Sequence, residues 1–237
     1  MRKLRRVILF FFILLFPLLT LACSQQNEYP IDYEQLSEEE RLVIRFSHVV
    51  GEDTPKGMAA RKFADLLKER SNGRIEVRVF SNGTLYKDVE ELDALKRGDV
   101  QIIAPAISKL THLVPELSVY DLPFAFDSLE EVHAYTESEA GKKLQNQLKK
   151  HNLLAIGLWD SGFKQISNDI RPIEHYNDLK GIRIRIMQSD ILAKQYQIVD
   201  AFPRKIDFNT VFQSLKKGDV EGQENTLTNI TSINLYS

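Results

Sequence analysis

The chain has a single cysteine, Cys23, in 237 residues, so no disulfide can form within it. Its five histidines, His48, His112, His133, His151 and His175, stand at least 18 residues apart, and no two have the spacing of a metal pair on one helix or loop. They are expected to face solvent or to make single hydrogen bonds. The patterns G-x-x-x-x-G-K, G-x-G-x-x-G and G-x-S-x-G are missing, which removes phosphate-loop, dinucleotide and serine-elbow chemistries. Carboxylates are abundant but scattered along helix faces, where solvation accounts for them. No metal, no cofactor and no enzyme chemistry is indicated.

Basic stripes are missing as well. The formal charge of −2 includes Arg2, Lys3, Arg5 and Arg6 at the head of the chain, and the remainder lies nearer −6. A nucleic-acid partner is excluded on that balance. Long apolar runs occur once, from Val7 to Ala22, after that basic head and directly before Cys23. Interrupted by Pro17 and Thr20, the run is shorter than the roughly 20 residues a spanning helix needs. Residues 1–22 read as a signal peptide. Cleavage before Cys23 with lipid on its thiol would place the chain on a membrane surface; ordinary cleavage after Ala22 is the alternative. Residues 23–41, polar and acidic, read as a spacer.

The rest alternates strands and helices. "RLVIRFSHVV" reads as a strand and "EDTPKGMAARKFADLLKERSNG" as a helix, with Asp53 or Thr54 as N-cap, Pro55 in its first turn and Gly73 as its stop. "RIEVRVF" follows as a second strand, so the connection is a parallel crossover. A helix ending at Gly98, the strand "DVQIIAPA", one long helix from Ser128 to about Lys150 and the apolar strand "LLAIGLWD" come next. "SGFKQISN" and "GIRIRIMQ" read as strands, "DILAKQYQIV" and "FNTVFQSLKKG" as helices, and "DVEGQEN" as a last strand. "ALKRGDVQ", Ala94 to Gln101, recurs as "SLKKGDVE", Ser214 to Glu221. The recurrence suggests two α/β units of related construction.

In "KGIRIRIMQS" an extended strand puts Ile182, Ile184 and Ile186 on one face and Arg183 and Arg185 on the other. Solubility of a strand edge explains both arginines, and an anion explains either; the strand alone leaves this open.

From Val43 onward, "FSHVVGEDTPKG", "ALKRGDVQIIAPAISK", "DLPFAF", "WDSGFKQISN", "DLKGIRIRIM" and "FNTVFQSLKKGDVEGQENT" occur in one order. In them the sequence resembles the extracytoplasmic solute-binding subunits of tripartite ATP-independent periplasmic (TRAP) transporters, dicarboxylate-binding type. The resemblance implies a two-lobed, class II-like periplasmic-binding-protein fold, α/β, each lobe a mainly parallel sheet flanked by helices. It implies a first lobe over residues 42–160 and a second over 161–237, the second incomplete because relatives continue past "GQEN". The chain is then either a fragment of a longer product or a truncated reading frame.

By the same resemblance Arg185 grips the carboxylate of a small organic acid, Asn225 contacts the same group and Phe208 lines the pocket. Lys164 stands where many relatives carry a second arginine, and Lys56 and Trp159 are further candidates, with core packing the competing role for Trp159. Ala106 stands where acidic-sugar binders carry a glutamate, which points to a C4-dicarboxylate such as succinate, malate or fumarate. The implied partners are the TRAP membrane subunits. A binding protein feeding a membrane receptor, an enzyme on the same fold and a non-functional remnant are the rival readings.

Overall fold

The computed structural model describes residues 41–235. The expected signal peptide, Cys23 and the spacer up to residue 40 lie outside the described residues.

Two sheets organise the chain. The first has β1 (Leu42–Ser47) between β2 (Ile75–Phe80) and β3 (Ile102–Ile103), all parallel. The crossover from β1 to β2 is α1 (Pro55–Arg70), begun by Thr54, whose Oγ1 accepts the Gly57 N–H at 3.1 Å. That bond satisfies one of the helix's orphan donors, and Pro55 lacks another. Gly73, at φ 73°, turns the chain into β2. A second helix, α2 (Glu91–Arg97), leads to β3.

The expected single helix from Ser128 to Lys150 is broken. α3 (Leu129–Glu137) ends at Ser138, which is extended (φ −64°, ψ 165°) and caps α4 (Glu139–Asn146) by accepting the Gly141 N–H at 3.1 Å. A serine that satisfies a new helix start makes such a break cheap. Gly141 lets the two helices close up, since a Cβ there would sit 2.2 Å from the Tyr135 carbonyl. "LLAIGLWD" is not a strand either: it pairs with no strand of either sheet, and Leu154 and Ile156 are 69% and 64% exposed. An apolar run becomes a strand only where a ladder partner takes its N–H and C=O groups.

The second sheet has the order β4-β7-β5-β6, formed by β4 (Lys164–Asn168), β5 (Arg183–Ile186), β6 (Phe202–Lys205) and β7 (Gly222–Thr226). β5 is parallel to β6 and β7, while β4 runs antiparallel to β7. α5 (Asp190–Ile198) covers one face, where Ile184, Ile186, Leu179, Leu192, Tyr196 and Ala201 form the core. α6 (Val211–Lys216) leads to β7, and α7 (Leu227–Ser232) follows it. β6 carries Pro203 and two cations, a composition that suits an edge strand and masks it in the sequence. Among the described residues no helix is long and apolar enough to cross a membrane.

The recurrent octapeptide is a repeated structure. Gly98 and Gly218 both end a helix in the left-handed region, at φ 81° and 74°. Behind them Asp99 and Asp219 donate to the carbonyls of Ala94 and Ser214, and Val100 and Val220 are buried. Gln101 and Glu221 then each make a reciprocal pair with the central strand. Gln101 N–H donates to Arg45 O and its Oε1 accepts the Arg45 N–H at 2.9 Å; Glu221 N–H donates to Arg183 O and its Oε2 accepts the Arg183 N–H at 2.9 Å. The two sheets are therefore built on one joint.

Candidate functional site

Arg183 and Arg185 are divided by their surroundings. Arg183 holds Glu221 through Nη2 at 2.9 Å on a half-exposed surface, which supports the joint just described. Arg185 is only 1% exposed. Its Nε donates to the Ile206 carbonyl at 2.9 Å, while Nη1 is buried with no acceptor. Burial lowers its pKa, and Glu224, Asp88 and Asp207 oppose that effect. An arginine nonetheless stays charged at any physiological pH.

Asn225 lies on the same face of the adjoining strand, because Arg185 is in register with Gln223 and Asn225 is two residues on. Its Oδ1 accepts from Asn229 Nδ2 at 2.9 Å and from the Thr226 N–H at 3.0 Å. Its Nδ2, like Arg185 Nη1, is buried without an acceptor. Two orphaned donors on one sheet face are what a carboxylate would satisfy, since buried donors otherwise find partners.

Lys164 projects to the other face of β7. Its Nζ lies 2.7 Å from Asp121 Oδ1 and 3.4 Å from Glu224 Oε2. The cation expected to be free for a ligand is thus already bracketed by two buried carboxylates. Burial raises the pKa of Glu224 and is opposed by Lys164 and Arg185.

The first sheet contributes a second buried polar group. Lys56 donates to Ala104 O at 3.2 Å, and burial lowers its pKa against the attraction of Glu91 and Asp88. Glu91 is 1% exposed, its Oε1 accepting from Ser47 Oγ at 2.8 Å and its Oε2 left without a donor. Burial pushes its pKa up to about 7. Asp88 is ion-paired with Lys109 and accepts the Phe208 N–H at 3.2 Å, while its own N–H donates to Asn209 Oδ1 at 3.1 Å. The Asp207 carboxyl, pushed up to about 6 by burial and by Asp88, meets it there. Phe208 packs with Val49 and Val50, joining segments from both sheets.

These carboxylates correct the expectation of solvated helix faces. Asp88, Glu91, Asp121 and Glu224 are all buried. Each has a basic neighbour from a distant segment, and a sequence does not display such pairings. His48 departs too: it is fully buried, both ring nitrogens lack partners, and burial aided by Lys56 lowers its pKa, leaving a neutral ring against Phe46. Trp159 is 47% exposed, with its ring 6.3 Å from that of Phe46, so it is not a core side chain. Ala106 precedes the single-turn helix Ile107–Leu110.

A surface depression of about 570 Å³ lies elsewhere, on the edge of the second sheet, lined by Arg183, Arg204, Lys205 and Asp219 among others. Arg183 and Lys205 are already paired there with Glu221 and Asp190, whereas Arg185 and Asn225 hold the unused donors. The chemistry places the candidate site at the latter.

The profile of the bacterial extracellular solute-binding proteins, family 7 (DctP), matches residues 46–237. The chain is 46% identical over 206 residues to the C4-dicarboxylate-binding protein DctB of Bacillus subtilis, covering 87% of this chain and 59% of that protein. It is 42% identical over 193 residues to the C4-dicarboxylate-binding periplasmic protein DctP of Shewanella loihica, covering 81% and 57%. Among solved structures, a TRAP periplasmic solute-binding protein of Sulfurospirillum deleyianum with bound succinate superposes with a TM-score of 0.79 at 39% identity, covering 81% of this chain and 62% of that one. One from Pseudomonas aeruginosa with bound L-malate gives 0.79 at 34%, covering 82% and 67%. The chain thus spans under three fifths of the length of these two curated relatives. With that match over 46–237, two α/β sheets and a shared joint, the chain belongs to the family 7, or DctP, bacterial extracellular solute-binding proteins.

Proposed function

We propose that the chain captures a small organic acid, a C4-dicarboxylate, outside the cytoplasm and delivers it to TRAP membrane subunits without covalent change. The observation that carries the reading is the pair of buried, acceptor-less donors, Arg185 Nη1 and Asn225 Nδ2, on one sheet face. The names of the Bacillus and Shewanella relatives, and the succinate and L-malate in the structural neighbours, support a dicarboxylate as the acid.

In this reading residues 42–160 and 161–237 act as two lobes that close over the ligand. Guanidinium offers a planar fork to both oxygens of one carboxylate. Hydrogen bonds to charged groups contribute roughly 1.5–3 kcal/mol each, and micromolar affinity needs about 8. Arg185 therefore acts with Asn225, with Phe208 as an apolar wall, and with Lys164, Lys56 and Trp159 as further contacts. A lipid on Cys23 would keep the protein at the membrane from which the ligand departs.

The test is a thermal-shift and calorimetric screen with succinate, malate and fumarate. A ligand at about 100 times its Kd stabilises the native state by about 2.7 kcal/mol, which is a visible rise in Tm. Arg185→Ala is expected to weaken binding at least 100-fold with the circular-dichroism spectrum kept. Unchanged affinity in that variant would overturn the assignment.

A further inference from the structure

The cations on both sides of the candidate site are matched by carboxylates of the protein itself. On the second sheet Lys164 is paired with Glu224 and Asp121, and Arg185 feels Glu224, Asp88 and Asp207; toward the first, Lys109 is paired with Asp88 and Lys56 feels Glu91 and Asp88. A dicarboxylate brings two more negative charges; of the other cations on the second sheet, Arg183 is held by Glu221, Lys205 by Asp190, and Arg204 is exposed on the edge strand. Among the buried groups, charge is balanced around the ligand if an internal carboxylate gives up its charge.

Glu224 is the carboxylate placed to do so. It is 3% exposed, on β7, one residue before Asn225. Its Oε1 has no donor, and its Oε2 has only Lys164 at the long distance of 3.4 Å. Lys164 lies closer to its other partner, Asp121, which Ser108 Oγ also supports at 2.7 Å. The groups on Glu224's own face are thus Lys164 from β4, Asp121 from the segment before α3 and Tyr196 from α5, while Arg185 of β5 acts on it electrostatically from the opposite face of the sheet. Tyr196, itself raised by burial, is a neutral phenol and supplies no charge. Neutralising Glu224 would leave Lys164 with one internal partner instead of two and so release positive field toward an arriving anion.

We propose that dicarboxylate capture is coupled to uptake of one proton, which goes to the Glu224 carboxylate and frees the charge of Lys164 for the ligand that Arg185 holds. The inference rests on the dicarboxylate-binding reading given above. The proton comes from solvent, a Glu224 oxygen becomes O–H, and no bond of the ligand changes. Glu224 thereby sets which charge state the site accepts: at higher pH, where its proton is harder to keep, the dianion competes with an ionised neighbour. The burial that raises the Glu224 pKa acts in the same direction.

The experiment is titration calorimetry of the whole chain with succinate at one pH, near 7.5, in buffers of different ionisation enthalpy. Succinate is a dianion there, so any proton taken up belongs to the protein. The observed enthalpy should vary with the buffer's ionisation enthalpy with a slope near one proton taken up. The Kd should rise by up to about tenfold per pH unit once Glu224 is ionised in the free protein. Glu224→Gln should remove both dependences and bind succinate more tightly than wild type above neutral pH. Binding with no buffer dependence in the wild type overturns the proton coupling and leaves the dicarboxylate reading standing. Proton uptake that persists in Glu224→Gln, with an unaltered melt, overturns the assignment to Glu224. Absence of binding to any dicarboxylate overturns both readings together.

Discussion

Arg185 keeps an unused N–H where the first sheet satisfies the matching position. At the repeated joint of the first sheet, Ser47 occupies the strand position that Arg185 holds in the second, two residues past the paired arginine, and donates to Glu91 at the start of α2. Counting back from the helix-ending glycines, α6 carries Val211 where α2 carries Glu91. One unit pairs its buried polar group internally; in the other the guanidinium keeps an N–H with no internal acceptor. Glu91 gives a prediction of its own. Its folded pKa of about 7 exceeds the ordinary 4.5 through burial, so its contribution is fully present below pH 4.5 and is lost as pH rises through about 7. Asp207, raised to about 6 by burial and by Asp88, adds loss in the same direction at lower pH. Glu91→Gln keeps an acceptor for Ser47 and removes the charge. It is expected to raise stability, and with it Tm, above pH 7 by a free energy on the order of 3 kcal/mol at most, and to leave the melt almost unchanged only below about pH 4. Melts of both proteins across that range check this, and identical pH profiles would count against it.

At the scale of elements, local signals were legible and partners were not. Thr54-Pro55 and Gly73 announced α1, the isoleucine alternation announced β5, and the two "GDV" joints announced a shared construction, because each signal is carried by neighbours in sequence. The break at Ser138, the edge strand β6 and the unpaired "LLAIGLWD" were not, since each depends on what another segment supplies. The same held at the site: the residues Arg185 and Asn225 follow from motifs, while the bracketing of Lys164 by Asp121 and Glu224 depends on segments 43 and 60 residues away. Gly57 illustrates how packing overrides propensity. Alanine for glycine within a helix ordinarily stabilises by up to about 1 kcal/mol. A Cβ at Gly57, however, would lie 2.3 Å from the Gly51 carbonyl oxygen and 2.7 Å from Glu52 Cα, both backbone atoms that cannot swing aside. Gly57→Ala is therefore expected to lower Tm, and a rise in Tm would show that the turn from β1 into α1 can yield.

At the scale of the whole molecule, apolar side chains of residues 154–159 lie on the surface, with Phe124 almost fully exposed as well. Contiguous apolar surface favours association. The double change Leu154→Ser with Ile156→Ser is expected to leave Tm within about 0.5 kcal/mol of the parent, as surface substitutions do, while reducing oligomer content. Light scattering at increasing protein concentration reads the difference, and an unaltered profile would show that this segment does not drive association.

The strand order has a bearing on how such a molecule comes into being. The first sheet draws its three strands from residues 42–103, in near succession. In the second, β7 is last in sequence yet lies inside the sheet, between β4 and β5. Long-range pairing of this kind is slow to form, whereas local pairing is fast. A chain emerging from its N-terminus can assemble the first sheet early, but the second stays open at its middle until residue 226 has arrived. Asn225, proposed to hold the acid, and Glu224, proposed to take up a proton, ride on that insertion, so the capacity to recognise a ligand waits for the second sheet to close.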